Sequence, residues 1–157
     1  MQKITAFLWF NDQAEEAMKF YTSVFKNSKI ISVRRYGDAG PGKKGTVMTG
    51  TIELEGQRFH LLNGGPVYQF TPAISFFIDC NDQKEVDELW EKLSDGGRTD
   101  QCGWLHDKFG VSWQVVPKAL GEYLGDKDPV KANRVMQAML KMKKIDITGL
   151  KKAYEGN

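Results

Sequence analysis

The tripeptide Asn11-Asp12-Gln13 recurs as Asn81-Asp82-Gln83, an offset of 70 residues. At that offset Ile4 meets Ile74, Thr5 meets Ser75, and Phe20 falls within one position of Leu89 or Trp90. A second set matches at an offset of 54: Gly56 with Gly110, Phe59 with Trp113, His60 with Gln114, and Leu61-Leu62 with Val115-Val116. Three identical residues alone constrain little, because helix caps look alike. The same order of elements on both sides constrains a great deal. Each copy reads as strand, helix and three strands, too small to bury its own sheet face, so the chain must be built from the pair. The smaller second offset means that the second copy lacks a loop insertion that the first one carries.

The elements follow from local pattern. Ile4 to Phe10 is apolar and aromatic, which predicts a strand buried on both faces or nearly so. Asp12 is the expected N-cap of a helix, with Glu15 at capping-box spacing. Ala14, Ala17, Met18, Tyr21 and Phe25 form its buried stripe. Lys29 to Tyr36 is a strand, and Gly37-Asp38-Ala39-Gly40-Pro41-Gly42 is the inserted loop. Thr46 to Leu54 and Gln57 to Leu62 make a hairpin around Glu55-Gly56. Asn63-Gly64-Gly65-Pro66 opens a link to about Pro72. The second copy repeats this: strand Ala73 to Cys80, a helix capped at Asn81-Asp82 with Val86, Leu89, Trp90 and Leu93 inside, and Gly96-Gly97 to end it. Short segments at Arg98–Cys102 and Gly103–His106 lead into a closing hairpin. Its turn is Asp107-Lys108-Phe109-Gly110, with Asp107 bonding backbone N–H groups and Gly110 at positive φ. In the strand Val111 to Val116, Ser112, Gln114 and Val116 point one way. Asp128-Pro129 then starts a tail helix whose stripe, Val135, Met136, Met139, Leu140 and Met142, is expected to dock on the domain or on a partner chain. Thr148 to Tyr154 reads as a last short helix. The fold class is thus α+β: two tandem β-α-β-β-β modules at about 3–65 and 72–118, within a domain spanning 1–125, plus a helical extension at 126–157.

Composition narrows the partners. The net charge is +2, and residues 126–157 carry 8 basic and 4 acidic side chains, too dilute a stripe for nucleic acid. No apolar run approaches the roughly 20 residues that span a bilayer. The N-terminal apolar run has no small-residue cleavage site, so it is read as a strand and not a signal peptide, and the location expected is cytoplasmic. Cys80 and Cys102 are expected to be free thiols in a reducing compartment. Neither nucleic-acid nor membrane binding is expected.

The stretches ITAFLWFNDQAEEAMKFYTSVF, LLNGGP, PAISFFIDC, CGWLHDKFGVSWQVVP and RVMQAMLKMKKIDITGLKKAY resemble the vicinal-oxygen-chelate superfamily, which includes glyoxalase I, bleomycin-resistance proteins and extradiol dioxygenases. They are most similar to its PhnB-like branch, labelled 3-demethylubiquinone-9 3-methyltransferase. The likeness covers nearly the whole chain, and DKFGVSWQ is its most specific segment. The resemblance implies curved sheets forming a cup around a cavity, in a homodimer. In metal-dependent members, one side chain from the first and one from the last strand of each module line that cavity. Those positions fall here at Thr5 or Ala6, at Ala73 or Ser75, at or beside His60, and at Gln114. Only His60 among them is a good divalent ligand, so no metal or other cofactor is expected. The label's methyl transfer has no counterpart in a glycine-rich methyl-donor turn between an apolar strand and a helix.

His60 and Gln114 are therefore the catalytic candidates: His60 as base or proton donor, Gln114 to orient the ligand. Thr5 and Ser75 are their first-strand counterparts. Trp9 and Trp104 are the aromatics expected to stack on a planar ligand. His106-Asp107 is set aside as a catalytic pair, since adjacent strand residues face opposite ways. The expected function is binding of a small molecule, aromatic ones included, by an enzyme. The alternatives are a ligand-sequestering protein of the bleomycin-resistance type and a metal-dependent glyoxalase-like lyase or isomerase.

Overall fold

The computed structural model describes residues 2–157. The chain divides into two compact units, one ending at Phe70 and one spanning Thr71–Asn157.

The first unit is a four-stranded sheet with one helix. The strands are β1 (Ala6–Phe10), β2 (Ser28–Arg35), β3 (Val47–Leu54) and β4 (Gln57–Asn63), and α1 (Ala14–Val24) follows β1. The sheet order is β1-β4-β3-β2, with β1 parallel to β4 and the other pairs antiparallel. Alternation sorts the side chains to two faces. Leu8, Phe10, Ile52, Leu54, Phe59 and Leu61 are buried on one face, and Ala14, Ala17, Met18, Tyr21 and Val24 of α1 are buried too. Gly50 permits the approach of helix to sheet, because a Cβ there would run into the Met18 thioether. The other face carries Phe7, His60, Thr51 and their neighbours.

Two expectations are corrected in this unit. The first strand is not buried on both faces: Ile4 is 88% and Phe7 56% exposed. The unit has one helix layer, on one side of the sheet, and β1 lies at the sheet's edge. Asp12 does not cap α1. The cap position is Gln13, which makes no side-chain cap bond, and the Ala14 N–H donates instead to Asn63 Oδ1 at 2.8 Å. Asn63 also donates from Nδ2 to the Val47 carbonyl at 3.0 Å. An asparagine at the end of β4 thus ties the helix start to the sheet.

The second unit repeats the plan with β5 (Ser75–Cys80), α2 (Gln83–Ser94), β6 (Arg98–Thr99), β7 (Trp104–His106) and β8 (Ser112–Pro117), in the order β5-β8-β7-β6. Here the acidic cap holds. Asp82 Oδ1 accepts from Glu85 N at 2.9 Å and Glu85 Oε2 accepts from Asn81 N at 2.7 Å, a reciprocal cap. Val86, Leu89 and Leu93 are the buried face of α2. Gly110 takes φ +88° in the closing turn, as its turn requires.

Three helices complete this unit: α3 (Lys118–Leu124), α4 (Pro129–Leu140) and α5 (Ile147–Glu155). The short α3 was not expected. Val116, Leu120, Val135, Ile145 and Leu150 form one buried cluster, with Met139 and Met142 against it. The methionine stripe therefore docks on its own unit, but not as a whole: Met136 and Leu140 point outward at 39% and 57% exposure. Backbone bonds fix the seam, Cys102 N–H to the Met142 carbonyl and Gly103 N–H to the Lys143 carbonyl, each 2.8 Å. No helix among the described residues is long and apolar enough to cross a membrane.

Candidate functional site

The repeat seen in the sequence is kept to the residue in the strand register. In the first unit Phe7 stands beside His60 and His60 beside Thr51. In the second, Phe77 stands beside Gln114 and Gln114 beside Trp104. Phe7 and Phe77 are related by the first offset, His60 and Gln114 by the second. Each sheet thus presents one polar side chain next to an exposed phenylalanine, on the face turned away from its first helix.

His60 is half-buried. Its Nδ1 lies 2.9 Å from Thr51 Oγ1, and the Phe7 ring lies 5.3 Å away, tilted by 54°. Nε2 makes no hydrogen bond among the described residues. Thr51 therefore holds one ring nitrogen and leaves the other to face outward. One row below, Glu53, itself half-buried, pairs with the exposed Arg58 at 3.4 Å and Lys29 at 3.5 Å. Thr5 precedes β1, with Oγ1 3.4 Å from Gln2 Nε2. Trp9 is tied down: its indole N–H donates to the Gly65 carbonyl at 2.9 Å, its ring fills the space a Gly64 side chain would need, and Tyr68 packs edge-on at 5.0 Å.

In the second unit Gln114 Nε2 donates to Ser75 Oγ at 2.9 Å. That bond joins two of the candidates and leaves Gln114 Oε1 as an acceptor without a donor among the described residues. Trp104 is half-buried beside Gln114 on β7.

Two side-chain arrangements escaped the sequence. Thr51 is one, although the alternation Thr49, Thr51, Glu53 opposite the returning strand could have found it. The other is a relay in which Ser112 Oγ lies 2.9 Å from His106 Nδ1 and His106 Nε2 lies 2.7 Å from Asp100 Oδ2. The hairpin turn itself sets His106 across from Ser112. With Ser112 1% and His106 8% exposed, the hydroxyl is sealed from solutes, so the trio braces β7 and β8 against the segment that follows β6 and does not present a nucleophile. Asp107, as expected, serves the turn: it accepts from Phe109 N, Val111 N and Trp113 Nε1 at 2.9, 3.0 and 2.9 Å.

Both cysteines are free. Burial, with Glu85 nearby, pushes the Cys80 thiol up to about 12. Cys102 donates its thiol proton to the Met139 carbonyl at 3.7 Å.

The donors present do not fit a divalent metal. In the first unit the strand positions supply one imidazole and a hydroxyl, in the second one neutral amide and a hydroxyl, and neither set includes a carboxylate. Among the described residues no group of three or more His, Cys, Asp or Glu stands together. A methyl donor fits no better. The turn after β4 has its Gly64 occupied by the Trp9 ring and its Asn63 committed to α1 and β3, which leaves no open cradle.

A family model described as 3-demethylubiquinone-9 3-methyltransferase matches residues 2–116. Among solved structures, the PhnB protein from Bacillus cereus is 43% identical, with a TM-score of 0.70, over 74% of this chain and 99% of that one. Protein PA1353 from Pseudomonas aeruginosa (20% identical, TM-score 0.64, 74% and 98% covered) shares the fold. So does the fosfomycin resistance protein FosX from Listeria monocytogenes (17% identical, TM-score 0.56, 80% and 98% covered). No curated protein matches the chain. The matched family segment ends one residue before the end of β8, so α3, α4 and α5 lie beyond it. With its paired β-α-β-β-β units and this match over most of its length, the chain belongs to the 3-demethylubiquinone-9 3-methyltransferase family, the PhnB-like branch of the vicinal-oxygen-chelate fold.

Proposed function

We propose that the protein binds a small planar molecule on the open face of the first sheet, around His60, and acts on it as an enzyme by proton transfer. The observation that carries this reading is the outward Nε2 of His60, with Nδ1 held by Thr51 and the Phe7 ring alongside. A fixed imidazole with one nitrogen free can take or give a proton at a ligand atom within hydrogen-bond reach. In the second unit, taken by itself, Gln114 Oε1 is open to accept from a ligand O–H or N–H, while Ser75 holds the amide plane. Phe7 supplies apolar surface for a ring beside His60, and Phe77 and Trp104 do so beside Gln114. The family's label names a methyl transfer, and the turn after β4, filled by the Trp9 ring, offers the donor no open cradle.

A second reading, sequestration without chemistry, is favoured by the neutral donors around Gln114. One experiment separates the two. Substituted phenols and catechols are screened by thermal shift and for turnover, with wild type, His60→Gln and Gln114→Ala. The enzymatic reading expects a phenol that shifts wild type and is converted, with conversion lost and binding kept in His60→Gln. Binding without conversion selects sequestration. If both variants keep the full ligand-induced shift and any turnover, neither His60 nor Gln114 lines a binding site.

A further inference from the structure

Alternation along the first sheet sorts its charges as well as its apolar side chains. On the open face, Phe7, His60 and Thr51 share one row across the strands. In the row on one side, Glu53 stands between Arg58 and Lys29. In the row on the other, Trp9, Leu62, Thr49 and Arg34 follow one another. Arg35, next in the chain, turns to the helix side and binds Glu15 of α1 at 2.7 Å. Arg34 is exposed, and its guanidinium has no hydrogen bond or ion pair among the described residues. Lys29 and Arg58 share the single carboxylate of these rows, Glu53, at 3.5 and 3.4 Å. Three cations thus stand with one anion, and the excess charge of the face is positive however the pairs are drawn. Only the short, neutral side chains of Thr49 and Thr51 lie between Arg34 and His60 on these rows. Strand spacing and rise put the two Cα atoms about 12 Å apart. An arginine side chain and a one-ring acid span that gap together, and the guanidinium fork matches a carboxylate.

We propose that the open face of the first sheet selects a planar acid, with its ring beside Phe7 and His60 and its carboxylate on Arg34. This rests on the function proposed above for His60 and adds the class of its substrate, a single-ring carboxylate.

The probes are 4-hydroxycinnamate, 4-hydroxybenzoate and their methyl esters, titrated into the full chain and followed by amide chemical shifts. The acids are expected to bind with a Kd on the order of 1 mM, given their few heavy atoms. They should bind about tenfold more tightly than the esters, with shifts gathered on β3, β4 and the Arg34 end of β2. Added salt should weaken the acids and leave the esters unchanged, as screening of an exposed ion pair requires. Arg34→Gln should bring the acids down to the affinity of the esters, whereas Arg34→Lys, which keeps the charge, should retain a preference for the acids. Because Arg34 has no partner within the fold, both variants should melt at the wild-type temperature. Lys84→Gln, at an exposed lysine of the second unit, should change nothing. Equal affinity of the wild type for acids and esters overturns the acid preference and leaves ring binding at His60 standing. A preference that survives intact in Arg34→Gln also overturns it. If neither acids nor esters bind, the acid site falls, and the phenol and catechol screen decides the function proposed above by itself.

Discussion

Asp107 is 3% exposed and receives three N–H groups, two from its own turn and one from the Trp113 indole. Replacing it by alanine strands all three, and each stranded buried donor costs about 1–3 kcal/mol. Asp107→Ala should lose on the order of 3 kcal/mol or more in urea unfolding, and Asp107→Asn about 1–2 kcal/mol, since its carbonyl still serves the turn. Losses below about 0.5 kcal/mol for both would mean that these bonds do not hold the hairpin. The two turn bonds are legible in Asp107-Lys108-Phe109-Gly110, because a turn is local. The indole bond is not, because it depends on how the hairpin folds back. Cys80 gives a second test. Its thiol ionises near 9.0 when exposed and only near 12 in the fold. The unfolded chain thus loses this proton first, and stability falls as pH rises from about 9 toward 12. Cys80→Ala should flatten that alkaline decline, and in the native protein at pH 8 a thiol reagent should label Cys102 well before Cys80. Equal labelling rates would contradict the buried thiol.

The two copies of Asn-Asp-Gln show where element boundaries can and cannot be read. Asp82 caps α2 through its own side chain, as its sequence suggests, but Asp12 leaves α1 to Asn63. Asn63 lies 49 residues from its partner and looks, in sequence, like the start of a loop. No local pattern encodes a cap that arrives from another strand. Alanine at the three positions should therefore differ. Asp12→Ala should stay within about 0.5 kcal/mol of wild type, Asp82→Ala should cost about 1 kcal/mol, and Asn63→Ala should cost about 2 kcal/mol because it also leaves the Val47 carbonyl without its donor. Thermal or urea melts give the ranking, and a cost at Asp12 matching that at Asn63 would restore the acidic cap. The tail was legible for the same reason that Asp82 was. Asp128 and Pro129 start α4 locally, and Val135 recurs with Met139 and Met142 at helical spacing. Which of the stripe's residues stay outside, Met136 and Leu140, was set by the shape of the cluster around Val116 and Leu120.

At the scale of the molecule, the paired offsets in the sequence carried over into strand register without a slip, because a one-residue shift would turn every buried side chain outward. Exposure at the sheet edges was not legible. A run such as Ile4–Phe10 looks the same whether one face or both are covered, and here Ile4, Phe7, Ile74 and Phe77 are all more than half exposed. Each unit thus leaves two apolar side chains exposed at or just before its edge strand, surface that association would cover. Sedimentation equilibrium should accordingly find a dimer, with Ile4→Lys shifting it toward monomer, and a monomeric wild type at micromolar concentration would refute this. The division into two units also has a consequence in time. All strands of the first sheet are in hand once Asn63 has been synthesised, but the cluster behind the second sheet waits for Leu150. At ~5–20 residues per second that interval is about 4–17 s, far longer than hairpins take to form. On the ribosome the strands of the first sheet, with Phe7 and His60 among their residues, are therefore free to pair while the residues that complete the second half are still being translated.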